Sequence, residues 1–160
     1  MKRIGVIGIG NPLRQDDGIG IILLERLVER KDELPAGIEY IDGGTGGMNL
    51  LHLLARFDIV VLIDAVNFCG HTGESKLFKA EDVYSKKIQI RTSTHDSDFL
   101  KIMQLSKELG ESPDEVYIFG VQPKDTSHGS NTSPELQQKI DLLLDNLTSE
   151  LKIILNPKIR

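Results

Sequence analysis

Residues 58 to 66, Asp-Ile-Val-Val-Leu-Ile-Asp-Ala-Val, form a near-unbroken apolar run rich in β-branched side chains. Such a run reads as a strand, and the lack of polar alternation places it between two covered faces, as a central parallel strand. A second apolar run, Ile4 to Ile9, opens the chain and breaks on Gly8 and Gly10 before Asn11-Pro12. It is a buried strand followed by a turn. Parallel strands require crossovers, so the segments between these runs should be helical.

The intervening sequence meets that requirement. Residues 17 to 31 carry Ile19, Ile22, Leu23, Leu27 and Val28 at helical spacing, and Pro35-Ala36-Gly37 ends the element. Ile38 to Ile41 is a short second strand, and Met48 to Ala55 a second helix. Ser75 to Lys79 alternates in polarity, which suits an edge or antiparallel strand. Ile88 and Ile90 alternate with polar neighbours, as strand or extended loop. Thr94 or Asp96 caps a helix that Gly110 stops, and Val116 to Val121 is another buried strand. Gln122 to Ser133 is a long polar loop. Ser133-Pro134 starts a last helix running through Leu136, Ile140, Leu143, Leu144, Leu147 and Leu151, with Ser133 as its cap. The predicted fold is a three-layer α/β/α sandwich, a mostly parallel twisted sheet of about five strands with one antiparallel strand and helices on both faces. Residues 1–160 are expected to form one domain.

Composition excludes several functions. With 19 basic and 24 acidic residues the net charge is -5, so the chain lacks a basic footprint for nucleic acid. No apolar run reaches the roughly 20 residues that span a bilayer, and no signal-peptide pattern opens the chain, so a cytoplasmic location without membrane insertion is expected. Cys69 is the sole cysteine, which rules out an intrachain disulfide and a cysteine-rich zinc site.

Three kinds of chemistry are conceivable. A dinucleotide site at Gly8-Ile9-Gly10 fails because Leu13 stands where the third glycine is required, and no phosphate-loop motif occurs. Gly8 and Gly10 then read as glycines for close helix–strand packing. Nucleophilic catalysis by Cys69 with His71 or His95 lacks a surrounding signature, and a lone cysteine is more often a buried small residue. No Gly-x-Ser-x-Gly occurs; His52 reads as a helix residue, and His128 lies in the 122–133 loop. The third is a metal site. Asp17 opens a helix after the first strand, Asp64 ends the central strand and His95 precedes another helix, all at one edge of the sheet, where open α/β folds bind ligands. Two carboxylates and an imidazole suit zinc, nickel, iron or manganese. Each residue also has an ordinary reading: Asp17 as a helix-dipole partner, Asp64 as a turn residue and His95 as a solvated loop histidine.

The combination of Gly8-Ile9-Gly10-Asn11, Asp16-Asp17-Gly18-Ile19-Gly20, Asp42-Gly43-Gly44-Thr45-Gly46-Gly47, Ile63-Asp64-Ala65, the turn around His95 and Gly120-Val121-Gln122-Pro123 resembles the hydrogenase maturation endopeptidases. These pieces run in family order over nearly the whole chain. The resemblance implies an endopeptidase that removes a C-terminal extension from the nickel-loaded precursor of a nickel–iron hydrogenase large subunit. It assigns metal recognition to Asp17, Asp64 and His95 and makes Asp16 an assisting base. Thr45, Gly46 and Gly47 belong to its substrate-facing loop. The implied nickel is carried by the precursor, with zinc or another divalent ion as substitutes. Asn131-Thr132 depart from the apolar residue usual before Ser133-Pro134, in a loop expected to select the partner. Two alternatives remain: a nickel-sensing maturation chaperone that does not cut, and a general zinc-dependent peptidase.

Overall fold

The computed structural model describes residues 1–84, 91–92, 96–156 and 158. Strands β1 (Ile4–Gly8), β2 (Ile38–Asp42), β3 (Ile59–Asn67), β4 (Ser75–Lys79), β5 (Arg91–Thr92) and β6 (Glu115–Val121) alternate with helices α1 (Ile19–Glu29), α2 (Met48–Leu54), α3 (Ala80–Tyr84), α4 (Asp96–Glu108), α5 (Pro134–Gln137) and α6 (Ile140–Leu155). The sheet order is β2-β1-β3-β6-β4, with β5 paired to β3. β1, β2, β3 and β6 run parallel to one another, β4 runs antiparallel to β6, and the two residues of β5 run antiparallel to the end of β3. This is the mixed, mostly parallel sheet predicted, with Ser75–Lys79 as its antiparallel edge.

The central run alternates after all, between two apolar faces. Ile59, Val61, Ile63 and Ala65 join a core with α1 and α6 on one side of the sheet. Val60, Leu62 and Val66 join a second core with α2, α3 and α4 on the other. Each fully buried aliphatic side chain here contributes roughly 1.5–3 kcal/mol relative to exposure. Both cores share this strand, so its end is a fixed place from which to hang a functional group. Asp64 falls in the register of Val60, Leu62 and Val66, towards the α2–α4 layer.

Three boundaries differ from expectation. Asp17 belongs to a 3-10 turn over Gln15–Gly18, and the α-helix begins only at Ile19. β3 continues past Asp64 to Asn67, so Asp64 lies inside the strand near its end. The last helix is two pieces, α5 and α6, parted at Gln138-Lys139 where Lys139 has φ -104 and ψ 0. Ser133 precedes Pro134 as predicted, but its hydroxyl makes no cap bond and is used elsewhere. Ile88, Ile90 and Thr94 lie outside the described residues.

Far from the polar loops, Asp58 ties the start of β3 to that of β1. It accepts hydrogen bonds from the Arg3 backbone N–H (2.7 Å) and from the Arg3 guanidinium (2.8 and 3.3 Å). The guanidinium and backbone N–H hold the Asp58 carboxyl at about 2, below its ordinary 3.8. A carboxyl depressed in the folded state adds stability above its unfolded pKa and loses it as pH falls through the folded value. Asp58→Asn should therefore lower the urea midpoint by a constant amount above pH about 5, and the difference from wild type should shrink as pH falls and vanish only below pH about 2.

Candidate functional site at the carboxyl ends of the central strands

The loops that leave β1, β2 and β6 meet on one edge of the sheet, joined by backbone hydrogen bonds. Gly43 N–H donates to the Gly8 carbonyl (2.8 Å), and Gly10 N–H donates to the Gly44 carbonyl (2.9 Å). The loop after β2 is thus stitched to the loop after β1. Asp42 shapes it by accepting from Gly44 N–H (2.8 Å). Gly47 takes φ +66 and ψ -153 ahead of α2, a conformation essentially reserved for glycine. Within this loop Thr45 is exposed and Gly46 and Gly47 are half-buried, at the same edge as the aspartates.

Gly20 sets how closely the Asp17 turn approaches the sheet. A Cβ there would stand 2.1 Å from the Ile9 carbonyl oxygen and 2.3 Å from that of Ile63. The same helix turn covers Gly8, whose own Cβ would meet the Gly20 carbonyl oxygen at 2.6 Å. This is the close helix–strand packing expected of the opening glycines. Because Ile9 N–H also donates to Ile63 O (2.9 Å), the first turn of α1 rests on β1 and β3 where they are themselves joined. Asp17 precedes that turn, and Asp64 directly follows Ile63.

Both carboxylates are withdrawn from water, Asp17 being 6% exposed and Asp64 3%. Asp17 Oδ2 accepts from Asn11 N–H (3.0 Å). Burial pushes the Asp17 carboxyl above its ordinary range, and this outweighs the Asn11 N–H and the charge of Arg14, which act in the opposite sense. Desolvation of this kind disfavours the anion, and a cation placed beside it reverses the effect. The donor set of two hard carboxylates therefore fits a divalent ion. Among the described residues no three His, Cys, Asp or Glu side chains form a metal-binding group. His95, the third predicted ligand, lies outside the described residues, between β5 and α4.

Asp16 is placed differently. It is 0% exposed, and both of its oxygens are engaged by the loop that follows β6. Two further residues were not singled out from the sequence. Gln122 Oε1 accepts from Phe68 N–H (2.9 Å) and Gly70 N–H (3.1 Å), while its Nε2 donates to Asn67 Oδ1 (3.2 Å). It clamps the turn after β3 to the end of β6. Gln15 Nε2 donates to Ser127 Oγ (3.0 Å), adding to the same loop contact as Asp16. The sequence signal for Gln122 is its place in Gly120-Val121-Gln122-Pro123, with no role attached, and that for Gln15 is the adjoining Asp16-Asp17.

The remaining polar candidates stand apart. Cys69 is exposed, contrary to the buried role expected of it, at φ +61 in the turn after β3. His71 is exposed and 4.0 Å from Glu74. His52 is exposed on α2, and His128 is exposed in the 122–133 loop.

A model of the family described as hydrogenase maturation protease matches residues 22–150. This chain belongs to the hydrogenase maturation protease family. Among its family relatives, the Hydrogenase 2 maturation protease of Escherichia coli K12 is 30% identical over 154 residues, covering 94% of this chain and 91% of that protein. The hydrogenase expression/formation protein HupD of Rhodobacter capsulatus is 30% identical over 152 residues, 94% of this chain and 72% of HupD. HupD of Thiocapsa roseopersicina is longer, and this chain spans 61% of it. The solved structure of the hydrogenase maturating endopeptidase HybD from E. coli superposes with a TM-score of 0.77 at 28% identity, covering 93% of this chain and 91% of HybD. The [NiFe] hydrogenase maturation protease HycI from Thermococcus kodakarensis gives 0.70 at 25% identity, with 94% of each chain covered. As a maturation protease by family, the chain is a peptide-bond hydrolase by class. Among its described residues no helix is long and apolar enough to cross a membrane.

Proposed function

We propose that this chain is an endopeptidase that removes the C-terminal extension of the nickel-loaded precursor of a nickel–iron hydrogenase large subunit. The reading is carried by one observation: two carboxylates are buried, Asp64 near the end of the central strand β3 and Asp17 in the turn that leads from β1 into α1, where burial holds the Asp17 carboxyl above its ordinary range. Such a site gains from an arriving cation what burial takes away. Here the cation is part of the substrate, the nickel seated in the precursor, with His95 as the third ligand on the family pattern.

When bound, the metal supplies a Lewis acid at the scissile carbonyl. The chain's own part is recognition and alignment. Asp17 and Asp64 receive the ion on elements that packing fixes, and the loop with Thr45, Gly46 and Gly47 offers backbone to the extended segment being cut. A general peptidase holding its own zinc would not depend on the cargo, and a chaperone would leave the bond intact. Mass spectrometry of the large subunit, incubated with this protein with nickel present or withheld, tests all of these. The expected result is a C-terminally shortened subunit only with nickel. An unchanged C-terminus in both arms would overturn the proposal in favour of binding without cleavage. Equal cutting in both would favour the general peptidase.

A further inference from the structure

Asp16 accepts four hydrogen bonds from one distant segment. Its Oδ2 accepts from Lys124 N–H (2.8 Å), Asp125 N–H (3.3 Å) and the Ser133 hydroxyl (2.8 Å), and its Oδ1 accepts from Ser133 N–H (2.6 Å). The partners lie 108 to 117 residues away in sequence. A carboxylate offers about four lone-pair sites on its two oxygens, which matches three backbone donors and a hydroxyl. The four donors replace the water that burial removes from Asp16.

The segment so held lies at the same edge of the sheet as Asp64. It leaves β6 just after Gly120, which stands opposite Asp64 in the sheet, and returns at Ser133 to start α5. Between these ends Lys124, Asp125, Ser127, His128, Ser130 and Asn131 are exposed. The backbone reinforces the attachment: Asp16 N–H donates to Asp125 O (3.0 Å), Gln15 N–H to Gly129 O (3.0 Å) and Gly129 N–H to Leu13 O (2.9 Å). The side-chain clamp sits one residue from Asp17, so the position of the segment and that of the Asp17 turn are set together.

We propose that Asp16 is a positioning residue that fixes the 123–133 loop in register with Asp17, making the loop a rigid, polar binding surface for the peptide of the precursor next to its metal. The inference rests on the proteolytic reading above, and it assigns Asp16 no proton transfer. Both oxygens are already held by donors of that loop, which is the geometry of a positioning group.

The test uses the full chain with Asp16→Asn, which keeps the shape but turns one acceptor into a donor facing N–H groups, and Ser133→Ala, which removes only the hydroxyl bond. Amide hydrogen exchange should show protection at Lys124, Asp125 and Ser133 falling about 10-fold or more in Asp16→Asn, with the amides of β3 retaining theirs. Affinity for the nickel-loaded precursor should fall about 10-fold and KM rise to match, while kcat stays within about 3-fold, the pattern of lost ground-state binding. Ser133→Ala should move each quantity the same way by less. Leu147→Ala, which opens the core under α6, controls for lowered stability and should leave precursor affinity unchanged. A fall in kcat with loop protection and affinity intact would overturn the inference and return Asp16 to acid–base work. Unchanged loop protection in both clamp variants, or an equal loss of affinity in Leu147→Ala, would overturn it as well. If wild-type protein binds the precursor but leaves it uncut, the proteolytic reading fails, and the exchange and affinity measurements still decide the role of Asp16.

Discussion

Asp17→Asn and Asp64→Asn should each reduce processing of nickel-loaded precursor by more than about 100-fold, beyond the roughly 10–100-fold that loss of a metal site's outer partners costs. The two oxygens of a carboxylate suit a hard divalent ion, and an amide keeps the size but gives up the charge that the ion requires. Stability should move the other way at Asp17. Its carboxyl is raised by burial in the folded protein, so above its unfolded pKa the ionised group weakens the fold, and the effect is complete once pH exceeds the folded value. Asp17→Asn removes that penalty while its remaining oxygen still accepts from Asn11 N–H. At neutral pH the free variant should therefore show a higher urea midpoint than wild type together with lost processing. Loss of both activity and stability would mean that Asp17 serves the fold instead. A variant that processes normally would remove Asp17 from the site altogether.

The second large effect is expected at Gly20. Alanine is the better helix former by about 1 kcal/mol, and on propensity alone Gly20→Ala should stabilise α1. Its Cβ would instead meet the carbonyl oxygens of Ile9 and Ile63 at 2.1 and 2.3 Å. Both are backbone atoms of segments paired to each other, so neither can step aside alone. Overpacking of this kind costs typically 1–3 kcal/mol and occasionally more, which exceeds the propensity gain. Gly20→Ala should lower stability by about 2 kcal/mol or more in urea titration. Processing should suffer even where the variant is fully folded, because the displaced atoms adjoin Asp64 and carry the Asp17 turn. A stabilised variant would show that α1 stands further from the sheet than these contacts require.

The elements that could be read from sequence are those whose pattern reports burial directly. The run at 58–66 announces a strand covered on both faces, and the alternation at Ser75–Lys79 announces an edge. Asp17 and Asp64 stand out as candidates because carboxylates beside an apolar run and a helix start are visible in one dimension. What escaped depends on distant partners. Ser133-Pro134-Glu135 carries every local mark of a capped helix start, yet the Ser133 hydroxyl goes to Asp16, 117 residues earlier. Leu136, Ile140 and Leu143 keep helical spacing across the break at Gln138-Lys139, so periodicity shows one helix where there are two. Gln122 carries no sign of the turn it joins to β6, since its amide bonds are made to backbone and side chains brought near it by the pairing of β3 with β6. Asp16 and Asp17 are adjacent and identical in type, and only the fold shows that one is enclosed by donors of the 123–133 loop while the other accepts from Asn11 N–H.

The strand order also sets the sequence in which the molecule comes apart. Among the described residues β2 and β4 are each paired along one side only, whereas β1, β3 and β6 are paired along both. Sheets lose their margins first under gentle denaturation, because local opening begins where the fewest bonds must break. Asp64 lies on β3 and the Asp17 turn rests on β1 and β3, so fraying that begins at the rim leaves the placement of both carboxylates intact.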